Sequence, residues 1–72
     1  MPHIAITMFP GRDEETKTRL AAKMQQCMVE ELGVDADVVS VSIADVPQDK
    51  WSDNIRSIDK NTMFIAPGYP VD

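Results

Sequence analysis

Residues 2–9 read Pro-His-Ile-Ala-Ile-Thr-Met-Phe, with Ile4, Ile6 and Met8 on one parity and His3, Ala5 and Thr7 on the other. Alternation with β-branched residues predicts a strand whose isoleucine side faces a core. Pro10-Gly11 breaks the pattern, and Asp13 follows as a helix N-cap, with Glu14 and Glu15 where the positive end of a helix dipole favours acids. From there Leu20, Ala21, Met24, Cys27, Met28 and Leu32 fall within a stripe of about 140° at 3.6 residues per turn. An amphipathic helix is expected over residues 13–32, ending at Gly33, a good C′ residue. Within that stripe Cys27 reads as a small hydrophobe, and Met8, Met24, Met28 and Met63 read as core filling. Glu30 and Glu31 oppose the dipole at the far end, at a cost of only tenths of a kcal/mol each.

A second strand is expected over residues 38–46, where Val39, Val41 and Ile43 alternate with Ser40, Ser42 and Ala44. Strand, helix and strand make a βαβ unit with parallel strands in a single domain covering residues 1–72, of α+β class. Beyond Pro47 the pattern loosens, with a short helix or turn around Trp51 and Ile55, then Met63-Phe64-Ile65 and a Pro67-Gly68-Tyr69-Pro70 tail. Two parallel strands under one helix bury too little apolar surface to offset the ordering entropy. The expected completion is a homodimer in which two units join edge to edge into a four-stranded sheet with both helices on one face.

Composition narrows the class of function. At 72 residues the chain is about half a typical domain length, which excludes a two-domain enzyme. With 43% hydrophobic and 26% charged residues it is an ordinary globular chain rather than a disordered one. The net charge of −5 repels a phosphate backbone, so nucleic acid is not an expected partner. Cys27 alone permits no internal disulfide, and one histidine, His3, leaves no ligand set for zinc, so neither metal nor cofactor is expected. No apolar run approaches the roughly 20 residues that span a bilayer, and no signal core follows the start, so the expected location is cytoplasmic with no membrane partner.

The usual catalytic motifs are absent: no Cys/His pair in register, no Gly-rich phosphate loop, no H-E-x-x-H. The unusual group is positional. Removal of Met1 would make Pro2 an N-terminal secondary amine, the one proline with a basic nitrogen. An α-amine has a pKa of about 8 and becomes a better base at neutral pH beside an apolar wall and a cation. Taken alone, Pro2 equally starts a strand, where a missing N–H does no harm.

The opening Pro-His-Ile-Ala-Ile-Thr-Met-Phe-Pro-Gly-Arg-Asp-Glu-Glu-Thr-Lys resembles the 4-oxalocrotonate tautomerase family: a proline after the initiator Met, a Gly-Arg about ten residues later, a helix of about 20 residues, a second strand, and an aromatic shortly past it. Pro2, Gly11-Arg12, residues 13–32, residues 38–46 and Trp51 fit in order. Ser-Val-Ser-Ile-Ala-Asp-Val-Pro-Gln-Asp-Lys-Trp and the closing Pro-Gly-Tyr are similar to a short bacterial subgroup that is dimeric rather than hexameric. What the resemblance implies is cofactor-independent proton transfer between enol and keto forms of a small 2-oxo acid. Pro2 would then be the general acid/base. Arg12 would hold a carboxylate or developing enolate with its planar fork of donors, and Trp51, with Phe9, would form an apolar wall.

One departure from the family pattern bears on substrate. Hexameric members carry a second arginine on the second strand, where this chain has Ser42. A monocarboxylate such as an aryl enolpyruvate is therefore the expected substrate rather than a dicarboxylate, with Arg56 as a possible substitute cation from the loop. His3 reads as a surface or interface residue. Two other functions fit the same chain. Hydration or dehalogenation of a small unsaturated acid uses the same amine but needs a carboxylate to activate water. A non-catalytic oligomeric binding module is the reading if Met1 stays attached, because the Pro2 nitrogen is then a tertiary amide without a basic lone pair.

Overall fold

The computed structural model describes residues 1–71. Strand β1 (His3–Met8) and strand β2 (Ser40–Asp45) pair in parallel, with Ile4 beside Val41 and Ile6 beside Ile43. The ladder reaches one residue past each end: Ser40 N donates to the Pro2 carbonyl at 3.2 Å, and Val46 N donates to the Met8 carbonyl at 2.8 Å. Residues 38–39 do not join β2, because their amides close a 3₁₀ turn over Ala36–Val38 instead. The expected second strand is therefore two residues shorter at its start.

Helix α1 (Glu14–Leu32) is capped as its sequence predicts. The Asp13 carboxylate accepts from Thr16 N at 2.9 Å, and that bond, which only the ionised form makes well, holds the carboxyl below its ordinary pKa. At the other end Gly33 turns left-handed at φ 66° and its amide donates to the Val29 carbonyl at 3.0 Å. Positions 16/17, 20/21, 24/25 and 28/29 form the half-buried face over the sheet. Cys27 and Leu32, expected in that stripe, are exposed. The reason is reach: α1 is about 28 Å long against about 20 Å of strand, so Leu32 overhangs the sheet, and Cys27 sits at the stripe's margin. Gln25 goes inward instead, its Nε2 donating to the Ala36 carbonyl at 2.8 Å. Lys17 pairs with Asp45 at 2.9 Å, across from the first turn of α1 to the end of β2.

Past β2 the loosely patterned segment forms a 3₁₀ turn (Gln48–Lys50) that runs into a short helix, α2 (Trp51–Arg56), and later a second such turn (Lys60–Thr62). Asn54 Nδ2 donates to Thr7 Oγ1 at 3.0 Å. Thr7 lies on the opposite parity to the isoleucines, so α2 sits on the sheet face that α1 leaves open. The rest of that face, including His3, Ala5, Ser40 and Ser42, is exposed.

The chain is a βαβ unit of α+β class, and it is under-buried. Among the described residues only Val39 is a buried apolar side chain, at 7% exposure, while Phe64 and Ile65 are 94% and 89% exposed. The accessible surface is 5713 Å². A compact monomer of this mass exposes about 4,450 Å². The radius of gyration of 13.7 Å likewise exceeds the about 11 Å expected for this length. No helix among the described residues is long and apolar enough to cross a membrane.

Candidate active site

The Pro10-Gly11 turn decides where Arg12 goes. Gly11 adopts φ 126°, a left-handed conformation that side chains rarely tolerate, and the chain reverses between the end of β1 and the start of α1. Arg12 thereby folds back toward Phe9, its Nη1 pointing at the Phe9 carbonyl from 3.5 Å. That contact is long and weak, and Arg12 makes no ion pair among the described residues. Its neighbour Asp13 is already committed to the amide of Thr16. A guanidinium without a carboxylate partner, in a chain with a net charge of −5, is open to an external anion.

Trp51 opens α2, and the Asn54–Thr7 hydrogen bond holds that helix against β1, which brings the indole to Phe9. The two rings meet edge to face, with centroids 5.1 Å apart at 81°. The tail then returns across 18 residues, and Trp51 Nε1 donates to Tyr69 Oη at 2.7 Å. Thr7, Met8, Phe9, Arg12, Trp51 and Tyr69 line a cleft of about 430 Å³. Its walls are mostly apolar, and Arg12 is the one charged lining residue among the described residues. The cleft suits a small planar acid: aromatic surface for the body, a forked donor for the carboxylate.

Of the residues singled out in the sequence, the fold brings Arg12, Trp51 and Phe9 together. Pro2 is not with them. It is half-buried just ahead of β1, and the cleft lies at the other end of that strand: Thr7, the lining residue nearest to Pro2 along the chain, is five residue steps or about 16 Å away. Arg56 does not join the cleft either. It is bound to Asp53 at 2.6 Å and faces a separate cavity of about 600 Å³ between α2 and the tail, so it does not stand in for a second arginine. Ser42 and Ser40 sit beside His3 on the open sheet face, with His3 Nε2 to Ser42 Oγ 3.0 Å and His3 Nδ1 to Ser40 Oγ 2.6 Å. Sequence reading missed Tyr69 as a lining residue, although the Pro-Gly-Tyr tail had been noted. Nothing local marks a tyrosine for contact with a tryptophan 18 positions earlier.

Comparison with known proteins shows the family to which the chain belongs. Residues 1–53 match the family described as Tautomerase enzyme. A probable tautomerase of Xylella fastidiosa is 34% identical over 73 aligned positions, covering 96% of this chain and 89% of that protein. Tautomerase PptA of Klebsiella pneumoniae is 36% identical, covering 96% and 97%. Among solved structures, a 4-oxalocrotonate tautomerase isozyme from Methylibium petroleiphilum superposes with a TM-score of 0.66 at 38% identity, over 69% of this chain and 81% of that one.

Proposed function

The chain belongs to the tautomerase family and is an isomerase of that kind, and we propose that it interconverts the enol and keto forms of a small monocarboxylic 2-oxo acid without a cofactor. The observation that carries the substrate class is the unpaired Arg12 guanidinium in a cleft walled by Phe9 and Trp51. One cation binds one carboxylate. Dicarboxylates would place a second charge against apolar walls with nothing to neutralise it.

In the proposed reaction Met1 has been removed and Pro2 is a free secondary amine. The amine takes the proton of the enol hydroxyl as the C=O bond forms, and the resulting ammonium returns a proton to the adjacent carbon, so the substrate is isomerised with no net gain or loss. Arg12 holds the carboxylate and Phe9 and Trp51 exclude water from the face on which the proton moves. Hydration or dehalogenation is less well supported, because no carboxylate among the described residues lines the cleft to activate water.

The separation of Pro2 from the cleft makes one chain insufficient. A pocket of 430 Å³ is about 9 Å across as a sphere and does not bridge the about 16 Å from its edge at Thr7 back to Pro2. The remedy is the same second copy that the surface area requires. If two sheets join along their β1 edges about a two-fold axis, the strands run antiparallel, and the Pro2 end of one lies beside the Phe9–Arg12 end of its partner. This homodimer has a four-stranded sheet and two sites, each with its amine from one subunit and its guanidinium from the other. The excess exposed surface of about 1,260 Å² exceeds the roughly 800 Å² that each partner buries in a standard interface.

The test has two parts. Intact mass of the natively expressed protein should show loss of Met1, and ketonisation of enol phenylpyruvate should exceed the buffer rate, with Pro2→Ala lowering kcat/KM by about 10²-fold. A uniformly retained Met1, or equal rates for the two proteins, would instead favour a binding module of the same fold.

A further inference from the structure

Tyr69 occupies a position in the cleft that its hydrogen bonding makes specific. The indole of Trp51 has an N–H and no acceptor, so in the 2.7 Å contact the tyrosine oxygen must be the acceptor. The phenolic proton cannot point at Trp51. It has no other partner among the described residues, and Tyr69 is about half exposed on the lining of the cleft that holds Arg12. A hydroxyl that accepts one hydrogen bond is polarised into a stronger donor for the next, by roughly 10–30%. The cleft therefore contains two groups able to donate to an oxygen anion: a charged fork and a polarised O–H.

We propose that Tyr69 is a substrate-binding residue whose hydroxyl donates to the carboxylate of an aryl or alkenyl 2-oxo acid held by Arg12. The indole plays two parts in this arrangement, as wall for the apolar body and as the group that sets the direction of the phenolic O–H. The C-terminal segment thereby contributes to specificity: Pro67-Gly68 turns the chain so that Tyr69 returns to Trp51, and the carboxylate is gripped from two directions by a chain with only one arginine in the cleft.

The inference rests on the tautomerase reading of the same cleft, so its test is a binding measurement that needs no turnover. Cinnamate, an unreactive aryl monocarboxylate, is titrated into the oligomeric protein while the fluorescence of Trp51, the sole tryptophan, is followed. Tyr69→Phe keeps the ring and removes only the hydroxyl, and should raise the Kd about tenfold, as expected for loss of one hydrogen bond to a charged group. In steady-state assays the KM for enol phenylpyruvate should rise by the same factor with kcat within about twofold, the signature of uniform binding. An unchanged Kd, or a fall in kcat at constant KM, would overturn the assignment to the carboxylate. Pro2→Ala serves as the reference. If it leaves turnover unaffected while the tenfold difference between wild type and Tyr69→Phe persists, the proline mechanism fails and the Tyr69 assignment stands. If wild type does not bind cinnamate at all, the Tyr69 assignment falls, while the tautomerase reading is still decided by the Pro2→Ala turnover.

Discussion

Two inactive variants should restore each other. Pro2→Ala removes the ring amine and leaves Arg12 in place; Arg12→Ala does the reverse. Each alone should fall to about 1% of wild-type kcat/KM, since a positioned acid/base and an anion-stabilising donor are each worth about 10²-fold or more. The structure puts the whole of β1, about 20 Å of strand, between Pro2 and the Gly11-Arg12 turn in one chain, against a cleft of 430 Å³. On the proposed shared site, each working site would draw Pro2 from one copy and Arg12 from another. When the variants are denatured together at equal concentration and refolded, subunits assort at random. A site receives an intact Pro2 half of the time and an intact Arg12 half of the time, so about one quarter of sites are wild type whatever the size of the closed oligomer. The assay is loss of enol phenylpyruvate absorbance, with distinguishable affinity tags to show that mixed oligomers formed. Recovery to about 25% of wild-type activity is expected. If tag pull-down demonstrates mixing and activity stays at the average of the parents, the site is contained within single chains and the shared-site geometry is wrong.

Gly33→Ala should destabilise the protein by about 1 kcal/mol in urea denaturation, because φ is 66° there while a Cβ would meet no atom within 4 Å; a neutral result would mean the cap relaxes without cost. The Asp13 cap should weaken in acid. Its folded pKa lies below the ordinary 3.8, so the stabilisation is complete above pH 3.8 and is lost as pH falls through the folded value. Helicity of wild type should therefore exceed that of Asp13→Ala at neutral pH, with the gap narrowing as pH falls below 3.8. A gap that is constant with pH would remove the carboxylate from the cap.

The elements that could be read in the sequence are those whose signals are local. β1 announces itself by alternation within eight residues, and α1 by an N-cap, a stripe and a terminal glycine, each decided by neighbours no more than four positions away. The errors fall where a second partner decides. Cys27 lies on the helix face that periodicity marks as inner, yet the sheet beneath is too narrow to cover it. Residues 38–39 have strand composition, but their amides are taken by Asp35 and Ala36. The site divides in the same way. Arg12 is legible only through the family resemblance, because by itself an Arg before a helix reads as a solvated charge. Tyr69 is not, because its role exists only once Asn54 has pinned α2 to Thr7 and brought Trp51 within reach of the tail.

The under-buried fold and the divided site have a common origin in chain length. A unit of two strands and one long helix leaves both sheet edges free and one sheet face covered by α2 at one end alone, which is why Val39 is its sole buried apolar side chain among the described residues. Adding length would cure the burial within one chain, but it would leave Pro2 and Arg12 at opposite ends of β1, since parallel strands carry their starts to one end and their stops to the other. In the proposed homodimer a two-fold axis would supply what length cannot, reversing one strand against the other so that the start of β1 meets the end of its partner and the amine would converge with the guanidinium. On that geometry a substitution that weakens the β1 edge without touching Pro2, Arg12 or Trp51 should lower activity and assembly together, and activity lost while light scattering shows the oligomer intact would count against it.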